Sequence, residues 1–178
     1  MTDGHESAPH TLVLGIGNIL LRDEGVGVRL VEQLQQRYDV PERVQILDGG
    51  TMGLDLMATI EGVGQLLVID AVQANLAPGE HICLYDDAIP TFLGRGMSPH
   101  QIGLSDILSV ARLRDMLPRR VALLGVQPAL VETGLELSPT IAAQMERLEQ
   151  VALDILREWG IVLPSHTARC AIITDNRA

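Results

Sequence analysis

Aromatic side chains are almost missing from this chain: Phe92, Trp159, Tyr38 and Tyr85 make up 2% of its 178 residues. A core must therefore be packed from Leu, Val, Ile, Ala and Met, and the stacking platforms that grip single-stranded nucleic acid are absent. Positive charge is scarce too, with 13 basic residues scattered among 23 acids for a net charge of −10. Phosphate backbones are held by clustered cations that release counterions, so nucleic acid is a poor partner and a cation or a basic peptide a better one. Of the two cysteines, Cys83 falls in a predicted strand and Cys170 in the polar tail, with no C-x-x-C spacing. That excludes a disulfide framework and a thiolate zinc site and fits a reducing, cytoplasmic setting. No run approaches the ~18 apolar residues of a membrane span, and the first ten residues lack the apolar stretch of a signal peptide. No G-x-S-x-G elbow occurs either, which disfavours covalent catalysis.

What is present is a chain 47% hydrophobic, long enough to bury one good core. Apolar runs at Thr11 to Gly15, Val44 to Leu47 and Gln65 to Ile69 alternate with stretches of helical spacing at Val26 to Tyr38 and roughly Gly53 to Glu61. That β-α-β-α-β order implies right-handed crossovers and a parallel core with helices on both faces. Only about ten residues separate the third strand from His81 to Tyr85, too few for a parallel crossover, so strand four is expected to be antiparallel. Asp86 to Met97, with Pro90, Gly94 and Gly96, reads as an irregular connection. Ser98-Pro99-His100 opens a helix to about Arg112, Val121 to Val126 is strand five, and Ser138-Pro139 opens one long helix through Trp159. The expectation is a three-layer α/β/α domain over 11–163 with a five-stranded mixed, mostly parallel sheet of the phosphorylase/hydrolase-like kind. Residues 1–10 would be a flexible tail and 164–178 a second tail without a readable role.

In such sheets the carboxyl ends of the strands border the ligand crevice. Glu24 falls in the loop after strand one, Asp48 ends strand two, Asp70 ends strand three, and His100 starts a helix that can return to the same edge. Two carboxylates and an imidazole, Glu24, Asp70 and His100, would make a metal site suited to Zn, Ni, Fe or Mn. Each residue also has a plainer reading. Glu24 can complement a helix dipole, Asp70 can form a turn or cap a helix, and His100 can cap or pack at an entry turn. Asp48 can cap the Gly49-Gly50 turn or, some 30 residues after Gly15-Ile16-Gly17, mimic the ribose-binding acid of a dinucleotide fold. The G-x-G-x-x-G fingerprint would need glycine where Leu20 stands, and the turn NILLRDEG is too long for a pyrophosphate site.

The blocks GIGNILLRDEGVG, ILDGGTMG, LLVIDA, MSPHQIGLSDIL and LLGVQP, spread from about Leu12 to Leu156, together resemble the nickel–iron hydrogenase maturation endopeptidases in order, spacing and wording. The resemblance implies a peptidase, aspartic-type or metal-assisted, that removes a C-terminal extension from a [NiFe] hydrogenase large-subunit precursor after nickel insertion. It implies nickel contact by Glu24, Asp70 and His100 and a part in activity for Asp48, and the catalytic candidates that would accept the proton of an attacking water are Asp48 and Asp70. The nickel would be carried by the precursor, and the site could accept other divalent ions such as Zn or Cd. A monomer or weak oligomer without membrane insertion is expected. Other readings remain open: a non-catalytic nickel-delivery protein using the same three ligands, and a small-molecule phosphorylase or amidohydrolase on a similar sheet.

Overall fold

The computed structural model describes residues 10–93 and 99–166, the side chains of 54, 99–103 and 105 apart. Five strands, β1 (Thr11–Ile16), β2 (Val44–Gly50), β3 (Gln65–Ala71), β4 (His81–Tyr85) and β5 (Arg120–Val126), form one sheet in the order β2-β1-β3-β5-β4. All neighbours are parallel except β4 with β5. The mixed, mostly parallel sheet expected from the short β3–β4 connection is therefore present. Strands β1 and β3 are buried along their whole length, which is why they read as unbroken apolar runs.

Side chains alternate between the two faces. Val13, Leu67 and Ile69 pack under α1 (Val26–Arg37) and α6 (Met145–Glu158). Leu12, Leu14, Leu66 and Val68 pack on the other face with α2 (Met57–Ile60), α3 (Ala88–Leu93) and α4 (Pro99–Leu113). The two faces meet solvent through helices whose apolar stripes follow the 3.6-residue period.

Several boundaries differ from the expectation. Asp48 and Asp70 do not end their strands: β2 runs to Gly50 and β3 to Ala71, with Asp48 in register with Gly15 and Asp70 with Gly125. The stretch after β4 holds a helix, α3, because Pro90 stands in its first turn, where a missing N–H costs nothing. The long helix after Ser138 is two, α5 (Pro139–Ala142) and α6, since Gln144 N–H bonds back to Ile141 and tightens the turn there. Their shared apolar stripe passes straight through that break and leaves no mark in the sequence. The segment Gly53 to Glu61 is a 3-10 turn, Gly53–Leu56, followed by α2. Ser98, Cys170 and most of both tails lie outside the described residues.

Helices α1 and α6 are joined by one buried carboxylate. Glu149 accepts hydrogen bonds from Tyr38 Oη at 2.7 Å and Arg37 at 2.9 Å, and a third from Gln33. Glu149→Leu would leave two donors of α1 and the Tyr38 hydroxyl just beyond it without their acceptor, although the half-exposed Arg37 regains water. A loss of about 1–3 kcal/mol is expected, read as a lower urea midpoint at unchanged slope.

Candidate active site

Asp70 is the feature on which the site is built. Its register on β3 sends it to the same face as Leu66 and Val68, the face covered by α4, and it is fully buried. Neither carboxylate oxygen has a hydrogen-bond partner. Burial pushes its pKa up to about 8 and the nearby charge of Glu24 adds to this, while the adjacent backbone N–H of Ala71, which falls short of full hydrogen-bond geometry, works the other way. A carboxylate buried this deeply is costly as an anion, so its protonated form is favoured.

Glu24 reaches this neighbourhood because two glycines let backbone pack on backbone. A Cβ on Gly27, at the start of α1, would stand 2.1 Å from the carbonyl oxygen of Ile69 and 2.4 Å from that of Ile16. A Cβ on Gly17, whose φ is +138°, would stand 1.8 Å from the carbonyl oxygen of Glu24. Only glycine allows the 3-10 turn Arg22–Gly25 and the first turn of α1 to close on the ends of β1 and β3.

Beside Glu24, Asp23 is completely buried and fully satisfied, and sequence reasoning passed over it. Its carboxylate accepts from the amides of Ala129, Leu130 and Ser138 at 3.0, 2.8 and 2.7 Å and from the Ser138 hydroxyl at 2.8 Å. The signal was two adjacent acids before a helix, of which helical entry can expose only one. Gln127 was missed as well: its side-chain oxygen accepts from Ala74 N–H at 2.9 Å and its amide donates to Gln73, which shapes the connection leaving β3 next to Asp70.

Asp48 stands at the same edge of the sheet but apart from Asp70. It is exposed, and its Oδ1 accepts from Gly50 N–H at 2.8 Å, the turn-capping arrangement that competed with a functional one in the sequence. Register places its side chain on the α1 face, opposite to Asp70, and two strand spacings, about 10 Å, separate its backbone from Ile69. The two aspartates are not a proton-sharing dyad; the acid whose charge acts on Asp70 is Glu24.

His100 lies on the first turn of α4, its side chain outside the described residues. The helix direction is settled by its other end, where Arg112 pairs with Asp87 at 3.4 Å. Asp87 follows β4, whose last residue Tyr85 lies opposite Ala122 near the start of β5. Fifteen residues of α4, about 22 Å of helix, therefore run from that edge back toward the strand carboxyl ends, carrying the first turn to the edge where Asp70 stands. Among the described residues no three His, Cys, Asp or Glu side chains group closely enough to hold a metal ion. Cys83, on the edge strand, has its thiol pushed up by burial and by Glu158, which makes it a poor nucleophile.

A profile described as hydrogenase maturation protease (HycI) matches residues 28–155. The chain belongs to the hydrogenase maturation protease family. It is 43% identical to the hydrogenase 2 maturation protease of Escherichia coli K12 over 84% of its own length and 92% of that protein. To the hydrogenase expression/formation protein HoxM of Azotobacter vinelandii it is 44% identical, over 88% of this chain and 76% of the other. The structure of the hydrogenase maturating endopeptidase HybD from E. coli superposes with a TM-score of 0.86 at 41% identity, covering 89% of this chain and 99% of that one. A HybD maturation protease from Thermococcus kodakarensis gives 0.69 at 25% identity over 82% and 98%. For a hydrogenase maturation protease of this α/β fold, the edge of the sheet bearing Glu24, Asp48 and Asp70 is the place where strand ends collect chemistry. No helix among the described residues is long and apolar enough to cross a membrane.

Proposed function

We propose that this peptidase removes the C-terminal extension of a [NiFe] hydrogenase large-subunit precursor once nickel is in place, sensing the metal through Glu24, Asp70 and His100. The observation that carries this reading is Asp70, fully buried with both oxygens unpartnered. The nickel belongs to the substrate. Held by groups of the precursor, it would complete its coordination on the two carboxylates and the imidazole, so that only a loaded precursor sets its scissile bond at the edge of the sheet. Zinc or cadmium would satisfy the same donors.

Hydrolysis adds a water oxygen to the scissile carbonyl carbon, breaks the C–N bond and returns a proton to the leaving amine. The separation of Asp48 from Asp70 favours metal-assisted attack over a pair of aspartates. Asp70 serves as the anionic anchor beside Glu24, and Asp48, exposed and within reach of a bound peptide, accepts the proton of the attacking water.

Incubating the enzyme with nickel-loaded and nickel-free precursor and weighing the C-terminus of each tests the proposal. Cleavage of the loaded form alone is expected; equal cleavage of both removes nickel from recognition. Tight binding of free nickel with no cleavage of either form would mark a metal-delivery protein instead. Asp48→Asn is expected to lose turnover and keep binding, whereas His100→Ala should lose affinity for the loaded precursor only.

A further inference from the structure

The loop between β5 and α5 has no core of its own. Residues 129–133, 135 and 136 are exposed in succession, yet the loop is held rigidly at several points. Besides the four bonds that Asp23 accepts, Arg22 N–H donates to the Gly134 carbonyl at 3.0 Å, Gly134 N–H to the Leu20 carbonyl at 2.9 Å, and Asp23 N–H to the Leu130 carbonyl at 3.3 Å. Arg22 also pairs with Glu132 at 3.1 Å, and Arg29 donates to the Leu135 carbonyl at 3.2 Å. Ordering an exposed loop with a buried carboxylate is a large investment in a segment that adds nothing to the core, and long ordered loops of this kind are usually functional.

Its surface explains the investment. Of ten exposed large apolar side chains among the described residues, four stand on this stitched segment: Leu20, Leu130, Val131 and Leu135, from 37% to 61% accessible. Single exposed leucines need no explanation, but four on one stitched segment, interspersed with Arg22, Glu132 and Glu136, give the mixture of apolar and charged side chains that protein-binding surfaces use. An anionic membrane would want cations there in excess, and the two glutamates oppose it.

We propose that the 129–136 loop, locked by Asp23 onto the turn that carries Glu24, grips the hydrogenase precursor by taking an apolar stretch of its polypeptide on Leu20, Leu130, Val131 and Leu135, whether or not nickel is present. This rests on the reading that the precursor is the substrate. Asp23 is a positioning residue: it makes the gripping loop and the Glu24 turn one body, so a docked precursor presents its metal at a fixed offset. A loop held in its bound shape also loses little freedom on binding.

The test measures the dissociation constant for purified nickel-loaded and nickel-free precursors separately, with cleavage followed in parallel. The triple variant Leu20→Ser, Leu130→Ser, Leu135→Ser is expected to bind both forms about tenfold or more weakly. Leu113→Ser, which removes a still more exposed leucine at the end of α4, should bind as the parent does. Asp23→Asn should weaken binding of both forms and speed amide exchange at Ala129 and Leu130 while unfolding stays cooperative. If that variant does not fold, Ser138→Ala, which removes one of the four bonds, should give a smaller change of the same kind. Unchanged affinity in the triple variant overturns the proposal, as does a loss confined to the loaded form, or a parent protein that binds neither form. Binding of both forms by the loop without cleavage of either leaves the docking surface standing and overturns nickel-dependent processing instead.

Discussion

Asp70→Asn is expected to abolish precursor cleavage and, in the same molecule, to make the metal-free protein more stable above neutral pH. The two effects have one origin. The carboxyl of Asp70 titrates at about 8 in the folded protein against 3.8 for the free side chain. Between those values the native state keeps a proton that the unfolded chain has released, so the parent loses stability as pH rises through that window. Each unit corresponds to about 1.4 kcal/mol, which accumulates to something on the order of 5 kcal/mol by pH 8. Asparagine carries no such charge, and its contribution is flat. Urea midpoints at pH 5, 6.5 and 8 should therefore show the variant gaining on the parent steadily. A constant gap would mean that Asp70 is not the buried acid described. Cleavage, in contrast, should fall about 10²-fold or more, because the anchor proposed to position the loaded precursor is lost. Because a cation must displace the proton, binding of loaded precursor by the parent should strengthen as pH rises toward 8.

Gly27→Ala should damage both the fold and the site by adding a single methyl group. The added carbon would meet the Ile69 and Ile16 carbonyl oxygens at 2.1 and 2.4 Å, and both are strand backbone that cannot swing aside. Helix α1 would have to lift away from the sheet. Overpacking of this kind costs about 3 kcal/mol or more, a fall of about 6–12 °C in Tm for a chain of this size. Cleavage should suffer beyond what the loss of folded protein explains, because the same lift separates Glu24 from Asp70. Assays well below the lowered midpoint isolate that effect. A variant with parental Tm would show that the close approach of helix and strand is wrong.

The sheet was legible because its evidence is local. Unbroken apolar runs mark β1 and β3, and a connection too short to cross over marks β4 as antiparallel. The break before α6 was not, since one hydrogen bond to Ile141 changes the chain's path without changing its apolar stripe. Nor was α3, where Pro90 reads as a breaker until its place in the first turn is known. At the site, Glu24 and Asp70 could be singled out as acids beside apolar runs, and the charge of Glu24 acts on Asp70 in the folded chain. The separation of Asp48 from Asp70 depends on strand order and on which face each residue takes, neither of which is written in a motif. Asp23 was hidden for a related reason: its four donors come from residues more than a hundred positions away.

The lone acid at the heart of the site also bears on what the resting enzyme ignores. A neutral carboxyl offers little to magnesium, which gives up its hydration shell reluctantly and prefers charged oxygens. Abundant hard cations in the cell would have to evict a tightly held hydrogen ion for a poor return. Under the proposed function the resting enzyme thus ignores casual hard cations, and the acid answers to a softer metal that arrives with the precursor.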